Sequence, residues 1–278
     1  MTAPLPMTRG RRVALAIGLP IVLGIIGYTG LTEVALAGQA SYPVRLAVPV
    51  RGSTVSLSAG SGEVRVTQAA GSQLRLTGTA HYSIIRSTVT WHATRSGVAV
   101  SPQCHLMAGV CSFDFHAVVP EGKRAVIFTG SGNVTLAGLS GPVSARTGAG
   151  DIRAENIPGA VTLETGSGDV SGMDVSGAKV TFKTGSGGIS IASLTSARVF
   201  ARAGSGDITL TFTGVPAQVQ VESGSGNVTL VLPPGSTQYR VDATTGSGDN
   251  PVVTVPSSTA SQHVITVRDG SGNISITN

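Results

Sequence analysis

The chain holds 278 residues, enough for one long β domain, with only 12% charged and 4% aromatic residues and with 38 glycines. Its net charge of +5 overstates the folded part: Arg9, Arg11 and Arg12 precede it, and from Gly38 onward 16 basic residues face 13 acidic ones, an excess expected to be spread along the chain. No basic run or aromatic platform points to nucleic acid, so no nucleic-acid partner is expected, and the regular apolar alternation argues against disorder.

Residues 1–12 read as a short cytoplasmic tail and residues 13–37 as a transmembrane signal anchor. Val13 to Leu31 carries no charge and is rich in Leu, Ile, Val, Ala and Gly, long enough to cross a bilayer as a helix. The arginines before it would hold the N-terminus in the cytoplasm and place everything after it outside. The competing reading is a signal peptide, because Ala35-Leu36-Ala37 is an A-x-A-like site before Gly38. The apolar stretch exceeds the usual signal core, which favours the anchor. The expected location is the cell membrane, single-pass with the C-terminal domain outside, or secretion if the leader is cleaved after Ala37.

Residues 41–129 read as an irregular N-terminal β region or cap. A partial Gly-Ser-Gly unit starts at Gly60, and period-two alternation recurs at Gln73–Thr77, Thr88–Trp91 and Val98–Val100. The only Trp, Trp91, falls here with His81, His92, His105 and His116, so this is where a specific ligand would be sought. Cys104 and Cys111 are the only cysteines. Outside the cytoplasm the simplest expectation is a local disulfide. The alternative is a metal site from Cys104, His105, Cys111 and His116, whose spacing matches no common zinc pattern.

Residues 130–278 carry the regular repeats. Gly-Ser-Gly-Asp/Asn followed by Val or Ile, with minor variants, starts at Gly130, Gly148, Gly166, Gly185, Gly204, Gly224 and Gly270, and a partial copy starts at Gly246. The period of roughly 18–20 residues predicts an all-β, single-stranded β-helix (a β-solenoid) preceded by the transmembrane helix. Each coil holds two short strands, such as Ile152/Ala154 and Val161/Leu163, with apolar side chains inward. Crossovers between parallel strands prefer the right hand, so the expected coil is right-handed. Gly permits the tight corner through positive φ or close packing. Asp151, Asp169, Asp207 and Asn227 should stack into a turn column, interrupted by Gly188, accepting local backbone N–H groups. The alternative use of that column is Ca²⁺, disfavoured because the second corner of each coil reads as lacking Asp. Arg146, Glu164, Lys183, Arg202 and Glu222 form a second, outward column in which opposite charges can pair between coils.

The Val119-Pro120-Glu121-Gly122 segment, the strand into Thr129-Gly130-Ser131-Gly132-Asn133-Val134 and the repeated T-G-S-G-D-V units resemble a bacterial family of unknown function, labelled adhesins, with β-helical repeats. Leu232-Pro233-Pro234-Gly235 fits the same pattern. The resemblance covers roughly Val44 to Asn278. It implies an exported or membrane-anchored β-solenoid without an established reaction or cofactor.

Three function classes follow. The favoured one is a non-catalytic surface module whose partner is an envelope component, a polysaccharide or a membrane protein. The second is an extracytoplasmic regulatory or sensor domain acting with a membrane partner. The third is a polysaccharide-active enzyme on a β-helix, which would need clustered carboxylates and aromatic sugar platforms in one groove. The charges here come singly per coil, so neither catalytic nor metal-binding residues are expected.

Overall fold

The computed structural model describes residues 40–83, 85–104 and 111–278. The leader lies outside the described residues. Those residues form 21 strands and no helix. Most strands fall into two stacks, one on each face of a flattened solenoid. Strands of the first face run into the Gly-Ser-Gly corner, and strands of the second face leave it.

From Thr54 onward the solenoid pairing is parallel. On the first face Thr54–Ser61 pairs with Arg124–Ser131, then Val143–Ala149 and Val161–Ser167 follow in register. On the second face Val64–Ala69, Val134–Ala137 and Ile152–Ile157 stack in the same way. The strands Val170–Ser186 and Ile189–Ser205 each contribute to both faces. Residues 54–69 are therefore a full coil lying directly on residues 124–137, with the intervening chain looped out as a cap. That cap is mostly antiparallel: Ala40–Pro49 pairs with Gln73–Tyr82, Gln73–Tyr82 with Cys111–Pro120, and Thr88–Ala93 with Gly97–Gln103. Cys111–Pro120 returns to parallel pairing with Val64–Ala69 and joins cap to solenoid.

The interior is a single continuous apolar cluster. Each coil contributes a few side chains, for example Val143, Ala145, Ile152, Ala154 and Ile157, all nearly inaccessible. Burying one Val, Leu or Ile stabilises by roughly 1.5–3 kcal/mol. No coil can bury its inward row alone, so stability accrues through stacking. The strand Ile152–Ile157 continues through Ile157 because Asn156 turns the chain at φ 53°. Asp174 and Ser193 do the same at φ 54° and 55°, and Ile157, Val175 and Leu194 follow them into the core. Asp174 thus stands at the second bend, where the sequence pattern suggested no Asp. The side chain is short and polar, which makes the left-handed conformation tolerable there.

The coils do not stack in chain order at the C-terminus. Val264–Ser271 pairs with Gln218–Ser223 on one edge and with Arg240–Ser247 on the other. On the second face Ile274–Thr277 likewise separates Val228–Val231 from Val252–Val253. The last coil in sequence is interior, and the coil before it forms the end. Apolar content accounts for this. Ile265, Val267, Ile274 and Ile276 are fully buried, whereas Val252 and Val253 are exposed and Val241 and Ala243 only partly buried.

Candidate functional site

The corner comes first because it sets the pitch on which every surface ladder is built. The second glycine of the units from Gly130 to Gly224 has positive φ, as at Gly150 (140°), Gly168 (144°) and Gly187 (141°). A Cβ on any of them would run into the backbone carbonyl of the equivalent glycine one coil back. Next to it, Asn133 Oδ1 accepts the N–H of Asp151, Asp151 that of Asp169, and Asp169 that of Gly188, at 2.8–2.9 Å. After the gap at Gly188 the ladder resumes, with Asp207 accepting from Asn227 at 2.7 Å. The carboxylates cap the amide one coil on, 18 to 20 residues away, and not a local amide as in an Asx turn. At the cap, Asp114 Oδ1 accepts the N–H of Glu63 at 2.8 Å, so Asp114 is the first member of this ladder. Its signal, an Asp followed directly by an apolar residue, lacks the glycines that mark the others.

A buried hydroxyl column runs behind the corner. Thr147, Thr165 and Thr184 donate through Oγ1 to the carbonyls of Gly132, Gly150 and Gly168 at 2.8–3.1 Å. Asp269 occupies this column in the C-terminal coil, and both of its carboxylate oxygens are buried without a hydrogen-bond partner among the described residues.

The first face carries the charge. Arg146, Glu164, Lys183, Arg202 and Glu222 stand in successive coils at one register position. Glu164 pairs with Arg146 and with Lys183 (3.2 Å), and Arg202 with Glu222 (3.4 Å). Partial burial alone would raise the pKa of Glu164. The hydrogen bonds and charges of Lys183 and Arg146 outweigh it and hold the carboxyl below its ordinary value of 4.5. Beside this ladder Lys179 lies opposite Arg198, and Lys183 opposite Arg202. Phe200 lies among them, 5.9 Å from Lys183 Nζ. Lys179, Lys183, Arg198, Phe200, Gln218 and Gln220 line a shallow groove of about 370 Å³. Like charges on adjacent strands cost stability. Their retention here, around an aromatic face, builds a surface suited to an anion bearing an apolar or sugar-ring portion. The second face differs: Arg153 pairs with Glu155, and from the next coil on Ser171, Ser190, Thr209, Thr229 and Ser275 continue the row of Arg153 as neutral hydroxyls.

The residues expected in the irregular region do not converge. Cys104 and Cys111 are bonded to each other, with Cα atoms 6.0 Å apart. His116 Nε2 lies 3.0 Å from Thr67 Oγ1, and His81 lies 3.3 Å from the Asp114 carboxylate. His105 falls outside the described residues. Trp91 and His92 are exposed on the outermost strand Thr88–Ala93. No group of three or more His, Cys, Asp and Glu side chains suited to a metal occurs among the described residues.

A family model, Toastrack DUF4097, matches residues 119–277. A solved structure of a "putative adhesin" from Bacteroides fragilis is 12% identical, with a TM-score of 0.51 over 84% of this chain and 96% of that one. A second "putative adhesin", from Parabacteroides distasonis, is 12% identical, with a TM-score of 0.50 over 86% and 97% of the two chains. These likenesses establish the solenoid-like fold. No curated protein matches the chain.

Proposed function

The chain belongs to the Toastrack DUF4097 family, and from that premise we propose an exported, membrane-tethered, adhesin-like surface module that works without catalysis. It binds an anionic envelope polysaccharide along the charged first face. The observation that carries this reading is the groove of Lys179, Lys183, Arg198 and Phe200 with Gln218 and Gln220. It is open and shallow, and it lies on a ladder of side chains repeated coil by coil. Such a surface favours many weak contacts along a polymer over one deep pocket. The leader read from Val13 to Leu31 supplies the export and the tether, and the names given to the solved relatives point the same way.

The test is binding of the protein to purified envelope glycans, acidic and neutral, beside a screen for their cleavage. Acidic glycans should bind, and K179Q/R198Q/F200A should abolish binding while leaving the β-sheet circular dichroism intact. Equal binding by the triple variant would remove the groove from the account. Reproducible cleavage that depends on side chains of one coil would overturn the non-catalytic reading.

A further inference from the structure

The charge excess is polarised along the stack. Between residues 40 and 113 the sequence holds Arg45, Arg51, Arg65, Arg75, Arg86 and Arg95 against a single acid, Glu63. From Asp114 to the C-terminus ten basic residues face twelve acidic ones. The even spread read from the sequence is therefore wrong once the coils are in place. The cap strands Ala40–Pro49, Gln73–Tyr82, Thr88–Ala93 and Gly97–Gln103 lie together at one end of the stack and carry no carboxylate.

Arg45, Arg51, Arg75, Arg86 and Arg95 are all exposed, and none makes an ion pair with a described residue; Arg65 pairs with Glu63. Two large apolar side chains are exposed at the same end, Trp91 (46%) and Ile85 (44%). Trp91 belongs to the edge strand Thr88–Ala93, which pairs on one side only and buries none of its residues. Arg86 lies 4.1 Å over the Tyr42 ring, which places a guanidinium beside the edge. Guanidinium groups and an indole, with Glu63 and Asp114 the only acids between residues 40 and 120 and each already paired, to Arg65 and to His81, match the headgroup layer of an anionic bilayer. Arginine there meets phosphate, and tryptophan prefers the interface.

The position of the chain agrees. Ala40 begins the outermost strand of the second face. The uncharged stretch ends at Leu31, and the eight residues between reach roughly 30 Å at full extension. A tethered domain thus has this end, not the polar C-terminal coil, against the membrane.

We propose that the basic N-terminal end of the solenoid is a docking surface for anionic lipid headgroups, on which Trp91 enters the interface and Arg45, Arg75, Arg86 and Arg95 contact phosphate. This deepens the tethering reading above, and the two can fail separately. Trp91 is the only tryptophan, so its fluorescence reports this end alone. The full chain is mixed with vesicles of phosphatidylcholine, with or without phosphatidylglycerol, made with brominated acyl chains.

The expected result is quenching and a blue shift of Trp91 emission only with phosphatidylglycerol, reversed by molar salt as screening requires. R45Q/R75Q/R86Q/R95Q should lose the quenching with its circular dichroism unchanged. R202Q/R240Q/R268Q, which neutralises three arginines of the far coils, should keep it. Equal quenching in neutral vesicles, or quenching that survives the quadruple change, overturns the proposal. So does a shift of Trp91 emission by soluble polyglycerol phosphate but not by the anionic vesicles, which would assign the surface to a polymer. Flotation with phosphatidylcholine vesicles reads the tether independently. A chain that floats with them while Trp91 stays unquenched in both lipids keeps the tether and loses the docking surface.

Discussion

Asn227 accepts the backbone N–H of Asn273 at 3.1 Å although 46 residues separate them. Asn273 in turn accepts the N–H of Asp249 at 3.0 Å. The corner ladder therefore runs from Asn227 to Asn273 to Asp249, against chain order. Gly270 packs on Gly224, and Gly246 on Gly270. Residues 240–253 are thus seated on a coil that is synthesised after them.

Deleting residues 254–278 should consequently do more than shorten the rod. In a solenoid stacked in order, loss of the last coil exposes a new end and leaves its neighbour seated. Here Arg240–Ser247 loses its only in-register neighbour, Val264–Ser271. Hydrogen exchange should show the amides of Arg240–Ser247 unprotected in the truncated chain and Gln218–Ser223 still protected. Retained protection at Arg240–Ser247 would mean that it can pair directly with Gln218–Ser223 and that the order is not fixed by apolar content.

The Gly-Ser-Gly-Asp period made the solenoid legible, since each turn glycine and each inward Val or Ile recurs where stacking needs it. The seating of residues 54–69 on residues 124–137 was hinted only by Gly60, because its coil is completed across an insertion and no local pattern records that. The final swap was illegible for a similar reason. Gly246 and Gly270 look alike, and only the comparison of Val241 and Val252 with Ile265 and Ile274 separates an end coil from an interior one. The groove around Phe200 was only partly visible: the outward column exposed Lys183, but Lys179 and Arg198 gain meaning only from the cross-strand register. The charged end was hidden because a net charge summed over the chain averages two opposite regions.

Gly168→Ala should destabilise the domain by about 2 kcal/mol or more, from a positive-φ residue combined with a backbone clash. Its φ is 144° and a Cβ would strike the carbonyl of Gly150. Asp169→Asn keeps the Oδ1 acceptor for the Gly188 N–H and should be nearly neutral. Asp169→Ala should cost about 1 kcal/mol, the net worth of one hydrogen bond. Thermal melts of the three variants rank them. A large Ca²⁺-dependent rise in the melting temperature of the parent would give the Asp column a different task.

Glu164 should make the domain acid-sensitive in a defined window. Its folded pKa lies below the ordinary 4.5, so the unfolded chain takes up the proton first as pH falls. The stabilisation is whole above about 4.5 and is lost as pH drops through the folded value. Glu164→Gln should remove that part of the pH dependence. At neutral pH it should cost about 1 kcal/mol or less, as expected for a partly screened pair. Denaturant titrations of both proteins at neutral pH and at pH near 3 read the difference directly. An unchanged slope of stability against pH would detach Glu164 from the effect.

Asp269→Thr should stabilise the protein. Thr147 reaches the carbonyl of Gly132 at 3.1 Å, and Thr245 reaches that of Gly272 at 3.0 Å. Asp269 stands at the same place in its coil, buried, with neither carboxylate oxygen bonded to a described residue. A buried polar group without a partner costs about 1–3 kcal/mol, and a charged one more. A threonine there would carry a donor toward the Gly226 carbonyl, because Gly272 packs on Gly226 as Gly150 packs on Gly132. The expected outcome is a higher melting temperature and slower exchange of the Val264–Ser271 amides. A lower melting temperature would show that the carboxylate has a partner in solution, and Asp269→Asn, which keeps the shape and removes the charge, would then tell whether charge or hydrogen bonding holds it.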